Sequence, residues 1–131
     1  MADISILMSN TALEERVLDD HIGDSIGDGV EIVVADPGYI RVLNRRFRHM
    51  DRSTDVLSFD LSDPGSTAPE GTIYVDGRLY PPVEELLERI YHGYLHLCGR
   101  SHDDPEGSAE MEQDVKRMVL EALKRAGGTQ C

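Results

Sequence analysis

Three of the chain's five histidines fall within the eleven residues from His92 to His102, inside the segment YHGYLHLCGRSHDD that runs from Tyr91 to Asp104. Neutral imidazole is the commonest metal ligand among side chains, so this clustering points to a bound ion. On an α-helix, residues four apart rise about 6 Å and share a face, which lets His92 and His96 present their rings to one point. Gly99 can end such a helix in a left-handed conformation without steric cost, and the chain then bends back to bring His102 in from another direction. Three protein ligands leave one coordination position open, the feature that separates catalytic zinc sites from closed structural ones. Cys98 is the nearest candidate for a fourth ligand, but helical spacing turns it away from His92 and His96. The expectation is one divalent metal ion per chain, zinc foremost, although three imidazoles suit nickel and similar ions as well. Such an ion brings the pKa of its water from about 15.7 towards 7, and hydrolysis is the natural chemistry. The competing interpretation is a set of separate histidines satisfied by solvent or by the backbone.

The spacing is similar to the helix motif HExxHxxGxxH of the metzincin peptidases, except that Gly93 stands where the glutamate belongs. That glutamate is the general base for water attack on an amide, and glycine has no side chain with which to replace it. Ordinary peptidase activity is therefore disfavoured.

A second concentration of chemistry lies upstream, where Arg41, Arg45, Arg46, Arg48 and Arg52 make up five of the chain's 13 basic residues. With a formal charge of −12 the protein does not coat nucleic acid by charge alone, so any such contact must be local. The arginines supply that local surface, or equally a solvated helix face balancing nearby acids.

Taken together, the two regions resemble the YbeY family of bacterial endoribonucleases, whose hallmark is HGxLHLxGxDH. His92, Gly93, Leu95, His96, Leu97, Gly99 and His102 match it. Upstream, the family pattern LNxxYRxxDxPTDVLSFP is met by Leu43, Asn44, Arg48, Asp51, Thr54, Asp55, Val56, Leu57, Ser58 and Phe59. The matches span about residues 36–59 and 70–105. Phe47 stands for the family's tyrosine, Ser53 and Asp60 for prolines, and Thr72 for the aspartate of GDI. Ser101 replaces the aspartate before the third histidine, a change that bears on the orientation of the ligands, with Asp103 or Asp104 as substitutes. The segment between Val75 and His92 is also shortened.

The resemblance implies a single-strand-specific, metal-dependent endoribonuclease. Its role would be maturation of the small-subunit ribosomal RNA 3′ end and ribosome quality control, with ribosomal RNA and the ribosome or its proteins as partners. It also implies a role for Arg48, since a guanidinium contacts phosphate through two parallel hydrogen bonds and offsets charge developing at phosphorus. The alternative for Arg48 is a surface ion pair with Asp51 or Asp55. Arg45 and Arg46 are candidates for flanking phosphates, and Ser58 either lines the cleft or serves only the strand. Two other functions stay open: a metallopeptidase-like hydrolase drawing its base from Asp103 or Glu106, and a ribosome-associated binding protein with a structural metal.

The elements that must position these residues alternate along the chain. Residues 4–8 form a short apolar run, and Asn10 or Thr11 caps a helix through Leu13, Val17 and Leu18. Val30 to Ala35 is a β-branched strand, giving a strand, helix, strand unit whose usual outcome is a parallel pair. Asp36 and Pro37 have the signature of an N-cap and first helical position, with Ile40, Leu43 and Phe47 on one face. Residues 55–61 and Ile73 to Val75 read as two more strands, with a loop from Ser62 to Glu70 and a turn signal at Asp76 and Gly77. Pro81 and Pro82 lead into the histidine-bearing helix, whose apolar side is Leu86, Leu87, Ile90, Leu95 and Leu97. Pro105 opens a last helix carrying Met111, Val115, Met118, Val119 and Leu123. The predicted architecture is α+β: a single domain over residues 1–131, with a mixed four-stranded sheet packed with helices and a zincin-like histidine-bearing helix.

No apolar run approaches the roughly 20 residues of a membrane span, and the first ten residues lack the layout of a secretory signal. Two cysteines, Cys98 and Cys131, are a poor basis for a disulfide framework, and a cytoplasmic protein is expected.

Overall fold

The β-branched run VEIVVA is the centre around which the chain folds. In a computed structural model, which describes residues 2–7, 15–52, 54–62, 65, 68–77, 83–99 and 105–127, it forms β2 (Val30–Ala35). β2 lies between β1 (Asp3–Ile6) and β4 (Gly71–Asp76), parallel to both. β3 (Val56–Asp60) pairs antiparallel with β4 and closes the order β1-β2-β4-β3, so β1 and β3 are the edges. The mixed four-stranded sheet expected from the sequence is the one found, and the parallel β1–β2 pair is joined through a helix.

Alternation along the strands divides the side chains between two faces. Ile4, Val30, Ile32, Val34, Ile73 and Val75 point to the main core, which is completed by three helices. These are α1 (Glu15–Ile22), α3 (Val83–Leu97) and α4 (Pro105–Gly127). On the opposite face, Val33, Ala35 and Leu57 meet α2 (Pro37–Arg48) through Ile40 and Leu43. The Asp36 side chain caps α2 by accepting from the Tyr39 backbone N–H at 3.0 Å.

Several details differ from the pattern of the sequence. Residues 8–14, 53, 81–82 and 100–104 lie outside the described residues, and with them the expected cap at Asn10 or Thr11 and the lead-in at Pro81 and Pro82. Asp76 is the last residue of β4 and is buried; its N–H donates to the Asp55 carbonyl at 2.9 Å, so pairing carries the strand one residue into the expected turn signal. Phe47 lies 60% exposed at the far end of its helical stripe. Tyr91, which periodicity did not single out, is fully buried, with its hydroxyl 2.7 Å from Ser25 Oγ. Among the described residues, no helix is long and apolar enough to cross a membrane.

Candidate active site

α3 carries His92 and His96 because its other residues hold it down. Leu86, Leu87, Ile90, Tyr91, Leu95 and Leu97 are buried, and the phase of the helix leaves the two histidines half-buried at one side. Their Nε2 atoms lie 3.2 Å apart, with ring centroids at 4.8 Å and planes at 72°. Two imidazole nitrogens in a tetrahedral zinc shell, each about 2.0–2.1 Å from the ion, stand about 3.3 Å apart. The donor pair thus fits a divalent cation in both type and spacing. Among the described residues no group of three or more His, Cys, Asp or Glu side chains converges, and His102 lies outside those residues, as do Ser101, Asp103 and Asp104. Gly99, with φ of +87°, ends the helical run in the left-handed region, as expected from its place in the sequence.

Gly93 sets the height of the helix above the sheet. A Cβ at this position would come within 2.8 Å of Ile73 Cγ2 and Ser58 Oγ and within 3.0 Å of Val56 Cγ2. Ser58 Oγ also donates to the Gly93 carbonyl at 3.2 Å, which ties β3 to α3 one residue from His92. A side chain at position 93 would therefore force Ile73, Ser58 and Val56 to shift, a packing constraint that the motif alone does not contain.

His92 and His96 open onto a cleft of about 460 Å³ that is also lined by Arg48, Thr54, Ser58 and Asp60. Arg48 ends α2 on the other side of the sheet and reaches the cleft by crossing the free edge of β3. Its Nη2 donates to the Ser58 carbonyl at 2.6 Å, and its guanidinium carbon lies 5.5 Å from the Phe59 ring centroid. Asp51, one of the two acids considered as an ion-pair partner for Arg48, meets Arg41 instead, with Arg41 Nε 2.8 Å from its Oδ1. Arg45 and Arg46 are exposed on α2 and are not among the described side chains that line the cleft.

Asp60, which sequence reasoning did not pick as a site residue, brings a carboxylate to the cleft. The Ser62 backbone N–H donates to its Oδ1 at 2.9 Å and, with the Ser62 hydroxyl, holds the carboxyl below its ordinary range. The local signal was a strand-ending Asp two residues before a serine. A second cavity of about 510 Å³ adjoins the first at His92 and runs between α3 and α4, past Glu88, Met111 and Lys116.

These features define a class: a mixed-sheet α+β domain with two convergent imidazoles and a guanidinium on one cleft. Comparison with known proteins makes the class specific. The family model described as Endoribonuclease YbeY matches residues 5–80, more than half of the chain. A relative from Azorhizobium caulinodans, described as Endoribonuclease YbeY, is 32% identical over 93% of this chain and 81% of its own. One from Thermotoga maritima with the same description is 35% identical over 83% of this chain and 77% of its own. A solved solution structure of a Thermotoga maritima protein superposes with a TM-score of 0.61 at 32% identity, covering 93% of this chain and 89% of that one. The chain belongs to the endoribonuclease YbeY family.

Proposed function

We propose that this protein is a metal-dependent endoribonuclease that hydrolyses phosphodiester bonds of single-stranded RNA. Family membership supports the reaction class. The observation that carries the site is the convergence of His92 and His96, Nε2 to Nε2 at 3.2 Å, on a cleft that Arg48 also lines. The ion is zinc, held by His92, His96 and His102. When bound, a divalent cation supplies the Lewis acidity that makes water a nucleophile near neutral pH.

The protein's own groups do the rest. Arg48 spends one N–H on the Ser58 carbonyl, which fixes the direction of the guanidinium and leaves its other donors for a phosphate. Charge that develops on the phosphoryl oxygens during hydrolysis is stabilised by such a preoriented donor. Ser58 forms part of the cleft lining and locks α3 to β3, keeping His92 at a set distance from Arg48. Arg45 and Arg46 hold phosphates further along the strand.

The substrate is ribosomal RNA, cleaved during maturation of the small-subunit 3′ end and in ribosome quality control. The 131 residues work as one domain in the cytoplasm, in contact with the ribosome or its proteins. A peptidase reading has no comparable support, because the matched family and relatives are described as endoribonucleases.

The direct test incubates metal-loaded protein with ribosomal RNA and compares His96→Ala and Arg48→Ala variants. Loss of cleavage in both, with metal retained by Arg48→Ala and lost from His96→Ala, is the expected result. Undiminished cleavage by both variants would sink the proposal.

A further inference from the structure

We propose that Phe47 is a stacking platform for an unpaired base of the RNA strand, adjacent to the phosphate engaged by Arg48. The inference rests on the RNA-cleavage reading above and adds to it the residue that selects single strands.

The setting is electrostatic first. α2 has the sequence PGYIRVLNRRFR, with four arginines and no acidic residue, in a chain whose net charge is −12. The last turn of this helix therefore offers a phosphodiester strand a local cationic surface. Phe47 sits in that turn, directly before Arg48.

Packing then explains why the ring is available. Ile40 and Phe47 belong to the same helical stripe, but Ile40 lies over the sheet and is 0% exposed, whereas Phe47 hangs over edge strand β3 and is 60% exposed. The ring is nevertheless held. It meets Phe59 at 5.7 Å between centroids and 75° between planes, and Phe59 meets Tyr74 at 5.8 Å and 84°. A T-shaped contact of this kind fixes an aromatic side chain while engaging only part of its surface.

Phe59 carries both partners, Phe47 through the ring contact and Arg48 through the guanidinium 5.5 Å from its centroid. The pair thus presents a π-surface and a phosphate-binding group from one support. Single-strand sites combine these two functions: cationic groups track the backbone, and aromatic rings take bases of any sequence, since every base has a π-face. A duplex keeps its bases stacked inside and offers none to Phe47.

The chain contains no tryptophan, so Phe47→Trp places a single tryptophan, excited selectively over the five tyrosines, at the platform. Its emission is followed during titration with a 2′-O-methyl RNA of about ten nucleotides, a length within the usual span of single-strand sites. A matched duplex is the comparison. Quenching by the single strand and not by the duplex is expected. In steady-state cleavage, Phe47→Leu keeps an apolar cover on Phe59 but removes the π-face; KM rises about 5- to 100-fold with little change in kcat. Phe47→Tyr restores it. Leu120→Ala, at an exposed apolar position on α4, leaves KM unchanged. A silent tryptophan at RNA concentrations that saturate cleavage, an equal response to duplex, or an unaltered KM in Phe47→Leu would each overturn the stacking role while leaving RNA cleavage in place. Failure of the unsubstituted metal-loaded chain to cleave RNA overturns both.

Discussion

Arg48 crosses the edge of the sheet to donate to the Ser58 carbonyl at 2.6 Å, and in doing so brings a cation from the α2 face to the cleft of the α3 face. β3 is an edge strand with a free row of backbone groups, and Arg48 occupies one of its acceptors. Because Arg48 is exposed, replacing it leaves the core intact. Arg48→Lys lacks the planar fork and lowers kcat/KM for single-stranded RNA by roughly 10²-fold or more, the usual effect of removing one preoriented donor. An unchanged urea midpoint in the same variant separates lost chemistry from lost fold.

Metal binding is expected to depend on both α3 histidines. His92→Ala and His96→Ala each reduce zinc content of protein purified without chelator, as measured by elemental analysis, because the paired nitrogens at 3.2 Å act as one chelating unit. Full occupancy in either variant would place the ion elsewhere.

Gly93→Ala opposes two effects of known sign. In an ordinary helix the change stabilises by about 0.5–1 kcal/mol. Here the added methyl meets Ile73, Ser58 and Val56 at 2.8–3.0 Å, and the net result is destabilisation by about 1–3 kcal/mol, read from urea unfolding. Ser58→Ala in the same chain removes one of the clashing atoms, so the double variant loses less than the sum of the two single ones.

Tyr91 and Ser25 lie 66 positions apart and share a part-buried hydroxyl contact of 2.7 Å. Tyr91→Phe is expected to cost about 0.5–1.5 kcal/mol of stability, with no change in metal content. Ser25 keeps a second contact, donating to the Ile22 carbonyl at 2.6 Å, so its hydroxyl is not orphaned by the change.

The Arg41–Asp51 pair supplies a pH test. The hydrogen bond from Arg41 holds the Asp51 carboxyl below its ordinary value, against an opposing effect of desolvation and with the charges of Arg41 and Arg45 adding to it. A depressed folded-state pKa gives stability that is present above the unfolded value of 3.8 and lost as pH falls through the lower folded value. Both groups are exposed, so the readout is the carboxyl titration itself by NMR. Arg41→Ala moves it upward; no movement would mean the pair does not persist in solution.

Local geometry explains what the sequence by itself determined. Residues four apart on a helix meet whatever the fold, so His92 and His96 are legible as a pair from their spacing alone. The same holds for the Asp36–Pro37 start of α2, the glycine end of α3 and the β-branched run of β2, each set by its own backbone preferences. Two long motifs in order made the family legible as well.

Tertiary structure alone decided the contacts that depend on which strand lies beside which. Placing β3 outside β4 leaves Phe47 overhanging and lets Arg48 cross to the cleft, while Arg41, about two helical turns earlier, takes Asp51. The seating of α3 on β3 and β4 turns Gly93 from a missing base into a spacing requirement. Such relationships arise from long-range pairing and close packing, where each neighbour is supplied by a distant part of the chain, and no local periodicity carries them.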